Sequence, residues 1–260
     1  MDRIGVGASE ITFTARGSRS APATLLLHGG GFDRRVWEHC ATELAERCRV
    51  VSLDLPGHGE SRGRAIRSVA EGSEIVDVVR DALGIERWIV LGHSMGGAVA
   101  QDYTRRFPDR VVALGLISTA PWFGLDPEVV DEWREQGASY SRERLDAIVA
   151  PCASEPMRAH VLSLRDRMTP DAVQGDLDTC ASWDGRAQAA QLELPVLLMT
   201  TAFDLPVIRE AIDAWEKSLP DAVRVDIEDA GHMMMVEQPE ATSAAIAAWV
   251  EGVLARTEET

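Results

Sequence analysis

Short apolar runs alternate with longer segments of helical spacing along most of this chain, and that rhythm restricts the fold more than any other feature. "ITFTARG" (11–17), "ATLLLHG" (23–29), "RVVSLDLPG" (49–57), "RWIVLGHS" (87–94), "VVALGLIST" (111–119), "PVLLMTT" (195–201) and "VRVDIED" (223–229) read as strands. The spacing predicts helices over 36–46, 68–83, 95–107, 206–218 and 239–256. In the last of these, Ile246, Trp249, Val250, Val253 and Leu254 form one apolar stripe, and Pro239 suits the first turn. Strands this uniformly apolar must be covered on both faces, which predicts an α/β fold with a mostly parallel sheet between two helical layers. A chain of 260 residues is long enough to bury such a core as one domain.

One interval interrupts the rhythm. Residues 121–190 show helical pieces punctuated by prolines 121, 127, 151, 156 and 170, and no strand. The expected organisation is a core formed by 1–120 and 191–260, with 121–190 inserted as a helical cap. The insertion carries Trp122, Trp133, Tyr140, Met157, Met168 and Trp183. Aromatic residues at helical spacing pack into a core or face a pocket, and a cap must turn some of them toward what it covers.

Charge excludes several function classes. The formal net charge is −16, a field that repels nucleic-acid phosphates and anionic lipid headgroups. Lys217 is the single lysine among 26 basic residues, which removes Schiff-base and phosphate-gripping lysines from consideration. Cys40, Cys48, Cys152 and Cys180 show neither metal-ligand nor disulfide spacing and read as buried small apolar groups; no metal site is expected. The first 18 residues hold no continuous apolar stretch of the signal-peptide kind, and no membrane-length apolar run occurs anywhere. A cytoplasmic protein, monomer or homodimer, follows as the simplest expectation.

The chemistry centres on "VLGHSMGGAVAQ" (90–101). G-x-S-x-G between an apolar strand and a helix is the context of a nucleophile elbow, a turn too sharp for side chains at the glycine positions, which would hold Ser94 at the carboxyl end of the sheet. A serine hydroxyl needs a histidine to take its proton and an acid to orient that histidine. Of six histidines, only His232 in "EDAGHMMMVEQP" lies in a loop after a late strand. Asp204, after "PVLLMTTAF", supplies the acid, with Asp126 and Asp229 as alternatives. "LLLHGGGFD" (25–33) brings glycine N–H groups near a developing oxyanion: Gly30, or Gly31 as the alternative, partnered by the N–H of Met95. Asp54, His58 and Ser61 in "LDLPGHGES" read as a structural turn. His93 would pack beneath the elbow. Candidate substrate contacts are Phe32, His93, Trp122, Trp133, Tyr140, Trp183 and Met233.

Together, "HGGGFDRRVW", "LDLPGHGES", "GHSMGG", "TTAFDLP" and "DAGHMMMVEQP", in that order, resemble the α/β-hydrolase superfamily, in particular its small capped members. The resemblance covers nearly all of the chain outside 121–190. It implies an eight-stranded, mostly parallel sheet with one antiparallel edge strand, no cofactor, and a Ser94, His232, Asp204 triad. Thr201 stands where relatives often carry glycine before the acid. The elbow also differs from the "GDSAG" typical of the hormone-sensitive-lipase relatives that share the HGGG run, which places the chain with capped esterases and lactonases.

The expected activity is hydrolysis of a small, largely apolar ester or lactone through an acyl-enzyme on Ser94. The same triad in relatives serves C–C, amide and thioester hydrolysis and perhydrolysis, and the same fold serves lyases, cyclases and ligand receptors. Turnover of an acyl adduct at Ser94 separates the first group from the second.

Overall fold

The computed structural model describes residues 1–136, 144–187 and 192–258. Eight strands form one sheet: β1 (Asp2–Val6), β2 (Ser9–Arg16), β3 (Ala23–Leu27), β4 (Arg49–Leu53), β5 (Trp88–His93), β6 (Val111–Ile117), β7 (Val196–Thr201) and β8 (Val223–Ile227), in the spatial order β1-β2-β4-β3-β5-β6-β7-β8. From β4 to β8 every pairing is parallel, while β2 runs antiparallel to both β1 and β4. The reversed strand is therefore one position in from the edge, and not the edge itself as the family resemblance implied. β1 escapes the periodicity argument because it lies at the sheet edge, with Ile4 and Val6 only partly buried and none of its residues fully so.

Alternation along the central strands builds two cores. Leu25 and Leu27, Val90 and Leu198 point to one side, with Val76 and Val79 of α2 (Val69–Ala82), Val99 and Tyr103 of α3 (Met95–Arg106), and Ile208 and Ile212 of the later helix Pro206–Ser218. Leu26, Ile89, Leu91, Leu197 and Met199 point to the other, against α1 (Glu38–Leu44) and the C-terminal helix Pro239–Glu258. In that C-terminal helix Ile246, Trp249, Val250 and Val253 are all buried, as the stripe predicts. Between β6 and β7 lie α4 (Pro127–Gln136), α5 (Glu155–Ser163) and α6 (Pro170–Ser182); Pro206–Ser218 is α7, Met234–Glu237 α8 and Pro239–Glu258 α9.

β4 ends four residues before the expected strand does, because the turn that follows it is held by Asp54. Its carboxylate accepts from the N–H groups of Arg34 (2.8 Å) and Glu60 (2.9 Å) and pairs with the Arg34 guanidinium. Ser61 Oγ donates to the Asp54 carbonyl and accepts from Thr12 N–H, both at 2.7 Å, so the loop and β2 are pinned together. Of the cysteines, Cys40 and Cys48 are buried as expected, whereas Cys152 is exposed because it sits in the loop before α5.

The first turn of α3 is packed against the carboxyl ends of the neighbouring strands with no room to spare. A Cβ on Gly96 would lie 2.6 Å from the Leu27 carbonyl oxygen and closer still to that of His28, and one on Gly97 would lie 2.6 Å from Thr119 Cβ. Gly96→Ala should therefore lower the urea midpoint by the equivalent of about 1–3 kcal/mol, the usual cost of forcing extra volume into a filled site. A midpoint equal to that of the parent protein would show the contact to be looser than described.

Candidate functional site

Ser94 terminates β5 and precedes α3 with φ 51° and ψ −119°, a conformation that L-residues avoid. Such backbone costs about 1–3 kcal/mol and persists where the surroundings over-determine it. Here they do: Ser94 N–H donates to the Ile117 carbonyl (3.0 Å), and its own carbonyl accepts from Gly97 N–H (2.9 Å) and the Thr119 hydroxyl (2.7 Å). The turn leaves the serine side chain partly exposed over the carboxyl edge of the sheet.

His232 and Asp204 arrive from the loops after β8 and β7. His232 Nδ1 donates to Asp204 Oδ1 at 2.8 Å, and both side chains are buried. The same Asp204 oxygen accepts from Leu205 N–H (2.8 Å), and Thr200 Oγ1 donates to the other at 3.3 Å. Burial alone would push the Asp204 carboxyl up; the charge of His232 and these hydrogen bonds outweigh it and hold the group below the ordinary value. Thr201, in place of glycine, works in the turn that carries the acid: its hydroxyl accepts from Phe203 N–H (3.3 Å) and its carbonyl from Asp204 N–H (3.3 Å). The alternative acids point elsewhere. Asp126 is exposed and accepts from Glu128 N–H at the start of α4, and Asp229 is exposed with φ 54°.

The His232 loop is fixed from three sides. Glu237 of α8 is buried and accepts from Gly231 N–H (3.0 Å), Met233 N–H (3.2 Å) and Ala150 N–H (2.7 Å), while His232 N–H donates to the Ile148 carbonyl (2.8 Å). Burial pushes the Glu237 carboxyl up, against the three donors. From below, His93 Nε2 donates to the His232 carbonyl (3.0 Å), with the two rings 4.7 Å apart. That bond leaves His93 Nδ1 a bare, buried acceptor, and burial together with neighbouring His232 drives the His93 pKa far below its usual value. His93 is thus a neutral support beneath the elbow.

A cavity of about 310 Å³ opens above Ser94. Gly30, Gly31, Phe32, His93, Ser94 and His232 line it, together with Phe123, Leu125, Leu177 and Leu205, so most of its wall is apolar. Among the described residues, the N–H groups of Gly30 and Met95 donate to no protein acceptor, whereas Gly31 N–H is taken by Asp176 Oδ2 of α6 at 2.6 Å. Of the two glycines that the sequence left as alternatives, Gly31 therefore has its N–H engaged and Gly30 does not. No cluster of three His, Cys, Asp or Glu side chains among the described residues is arranged to hold a metal.

The candidate substrate contacts divide. Phe32 and His93 reach the cavity wall. Three others do not: Trp122 is 41% exposed and stacks on the Arg186 guanidinium, Trp183 is buried with its indole N–H on the Ala120 carbonyl (3.1 Å), and Met233 is buried in the core beneath α9. Tyr140 and the side chain of Trp133 lie outside the described residues. Sequence reasoning missed Asp176 and Arg165, the charged residues of the insertion that line the cavity. Asp176 lies in α6 and Arg165 in the turn after α5, both stretches carry many charges, and nothing in the one-dimensional pattern marks which of them turn inward.

The Alpha/beta hydrolase family matches residues 24–245. Similar curated proteins include the pimeloyl-[acyl-carrier protein] methyl ester esterase of Nitrosomonas europaea, 29% identical over 85% of this chain and 92% of the relative, and that of Pectobacterium carotovorum, 27% identical over 87% and 93%. Among solved structures, a thermophilic esterase from Thermogutta terrifontis superimposes with a TM-score of 0.88 at 25% identity, covering 97% of this chain and 99% of that one. The enol-lactonase of Burkholderia xenovorans gives 0.87 at 21% identity, covering 96% and 100%.

The strain at Ser94 is measurable without any substrate. Glycine adopts positive φ freely and alanine does not, so Ser94→Gly should be more stable than Ser94→Ala by about 1 kcal/mol in denaturant unfolding. Equal stabilities would mean that the turn stores no strain.

Proposed function

We propose, from the premise that this chain belongs to the alpha/beta hydrolase family, that it is a serine carboxylic ester hydrolase acting on a small, largely apolar ester or lactone. The observation that carries the proposal is that Ser94, Gly30 and His232, the last held by Asp204, line one largely apolar cavity, while the N–H groups of Gly30 and of Met95, the residue after Ser94, are unengaged. Ser94 Oγ attacks the carbonyl carbon while His232 takes its proton. Asp204 fixes the ring through Nδ1 and stabilises the imidazolium that forms. Gly30 and Met95 donate to the oxyanion, Met95 from the positive end of α3. His232 then returns the proton to the leaving alkoxide, and water releases the acyl group by the same route.

Helices α4–α6 act in this proposal as a cap whose underside sets the acyl chain. The cavity lies at the small end of ligand sites, which favours a short chain or a small ring. The bond cleaved is of the class named in the curated relatives, a carboxylic ester. Among the described residues no helix is long and apolar enough to cross a membrane, and the four cysteines are unpaired, which fits a cytoplasmic setting.

A fluorophosphonate probe followed by intact-mass spectrometry, alongside hydrolysis of short p-nitrophenyl esters, tests the proposal. The parent protein should label stoichiometrically and turn over ester. Ser94→Ala and His232→Ala should lose labelling and roughly 10⁴-fold or more in kcat, and Asp204→Asn on the order of 10³–10⁴-fold. A folded parent protein that neither labels nor turns over would sink the hydrolase assignment and point to a lyase or receptor.

A further inference from the structure

Asp176 of the insertion contacts the oxyanion loop directly. A Cβ on Gly30 would meet its carboxyl carbon at 3.2 Å, and its Oδ2 accepts Gly31 N–H at 2.6 Å. Gly31 has φ +79°, and a Cβ there would run into the Arg165 guanidinium, so the loop is enclosed by the insertion on two sides. Because the Gly31 N–H belongs to the Gly30–Gly31 peptide, the bond to Asp176 fixes the plane of that peptide next to the N–H that remains for the oxyanion.

A carboxylate in this position ought to oppose the reaction, since negative charge develops a few ångströms away. His58 supplies the compensation. Its Nε2 lies 3.0 Å from Asp176 Oδ1 and 3.2 Å from Oδ2, and its Nδ1 lies 3.1 Å from the Pro56 carbonyl oxygen. A carbonyl only accepts, so Nδ1 carries a proton; Nε2 faces a carboxylate and carries one too. Two donating nitrogens make His58 an imidazolium. The other groups facing it are His28, 5.0 Å away between ring centres, and Asp54. His28 is neutral, since its Nε2 accepts from Leu55 N–H and burial lowers its pKa, and Asp54 is already paired with Arg34.

We propose that Asp176 and His58 form a charged latch that seats α6 on the core, fixes the Gly30–Gly31 peptide and cancels the carboxylate's field at the oxyanion site. Both are positioning residues in the ester hydrolysis proposed above, on which this inference rests. Burial opposes the charge on His58, but Asp176 and the Pro56 carbonyl outweigh it and raise the pKa above the ordinary value near 6.5. The sign is fixed by that direction. The latch is fully charged below the ordinary value and persists above it; as pH rises through the raised value His58 loses its proton, and the carboxylate beside the oxyanion loses the imidazolium that pairs it. Activity should therefore carry an alkaline limb that belongs to His58.

The test compares the parent protein with Asp176→Ala and Asp176→Asn by kcat and KM on a short p-nitrophenyl ester across about pH 5.5–9.5, and by ¹⁵N NMR of the His58 ring. Alanine frees Gly31 N–H and should lower kcat on the order of tenfold to a hundredfold, with a smaller change in KM. Asparagine can accept from Gly31 and donate to a neutral His58, so it should restore kcat to within about threefold of the parent protein while abolishing the alkaline limb. A purely structural tether would not give that split. The parent protein's His58 should show two protonated nitrogens at neutral pH, and the Asn variant one. A neutral His58 in the parent protein, or an alkaline limb that survives in both variants, would overturn the latch. Because the NMR arm needs no substrate, a parent protein that turns over no ester overturns the hydrolase assignment, and the protonation state of His58 still decides whether the pair is charged.

Discussion

The close packing of α3 against the ends of β3, β5 and β6 is the constraint on which the site depends. Gly92 and Gly96 let backbone touch backbone, and Gly97 lets the helix meet the Thr119 side chain, at a spacing that a single methyl group would forbid, and the positive φ of Ser94 follows from that approach. The strained serine is thus a consequence of packing in the most buried part of the sheet, where β5 has no exposed residue. Backbone strain over-determined by such a core fixes Ser94 and the Met95 N–H relative to one another.

Much of this was legible in one dimension, for a physical reason. The central strands are buried on both faces and therefore read as continuous apolar runs, and the amphipathic stripe of α9 recurs at helical period. The elbow, the Asp204 turn and the His232 loop are local in sequence, and each requires particular residue types at fixed offsets. β1 was not legible, because an edge strand with little burial carries no such pattern. Nor was the engagement of the Gly31 N–H, whose acceptor is Asp176, 145 residues further along the chain.

The insertion was the least legible region, and the errors there share a cause. Trp122 and Trp183 are candidates for the cavity in the sequence because a cap must turn some of its aromatic residues toward what it covers, the alternative for each being a place in the core. Instead Trp183 fills the base of the insertion against Ala120 and Trp122 stacks on Arg186 at the surface, while the cavity wall is built from Phe123, Leu125 and Leu177. Which face a short helix turns inward depends on its neighbours in space, and hydrophobic spacing over about ten residues leaves that choice weakly determined.

What the insertion does at the site is more than cover it. Ile148 and Ala150 hold the His232 loop, the first through its carbonyl and the second through Glu237, and a Cβ on Gly231 would lie 2.6 Å from both the Ile148 oxygen and the Ala150 nitrogen. Asp176 holds the oxyanion loop from the opposite side. The His232 loop and the Gly30–Gly31 loop are therefore positioned partly by the segment that also shapes the cavity. Changes to that segment cannot reshape the cavity without also moving these loops, so in the hydrolase proposed above exchanging α4–α6 wholesale would perturb catalysis, whereas substitutions confined to Leu125, Val173 or Leu177 alter the wall and leave these ties in place.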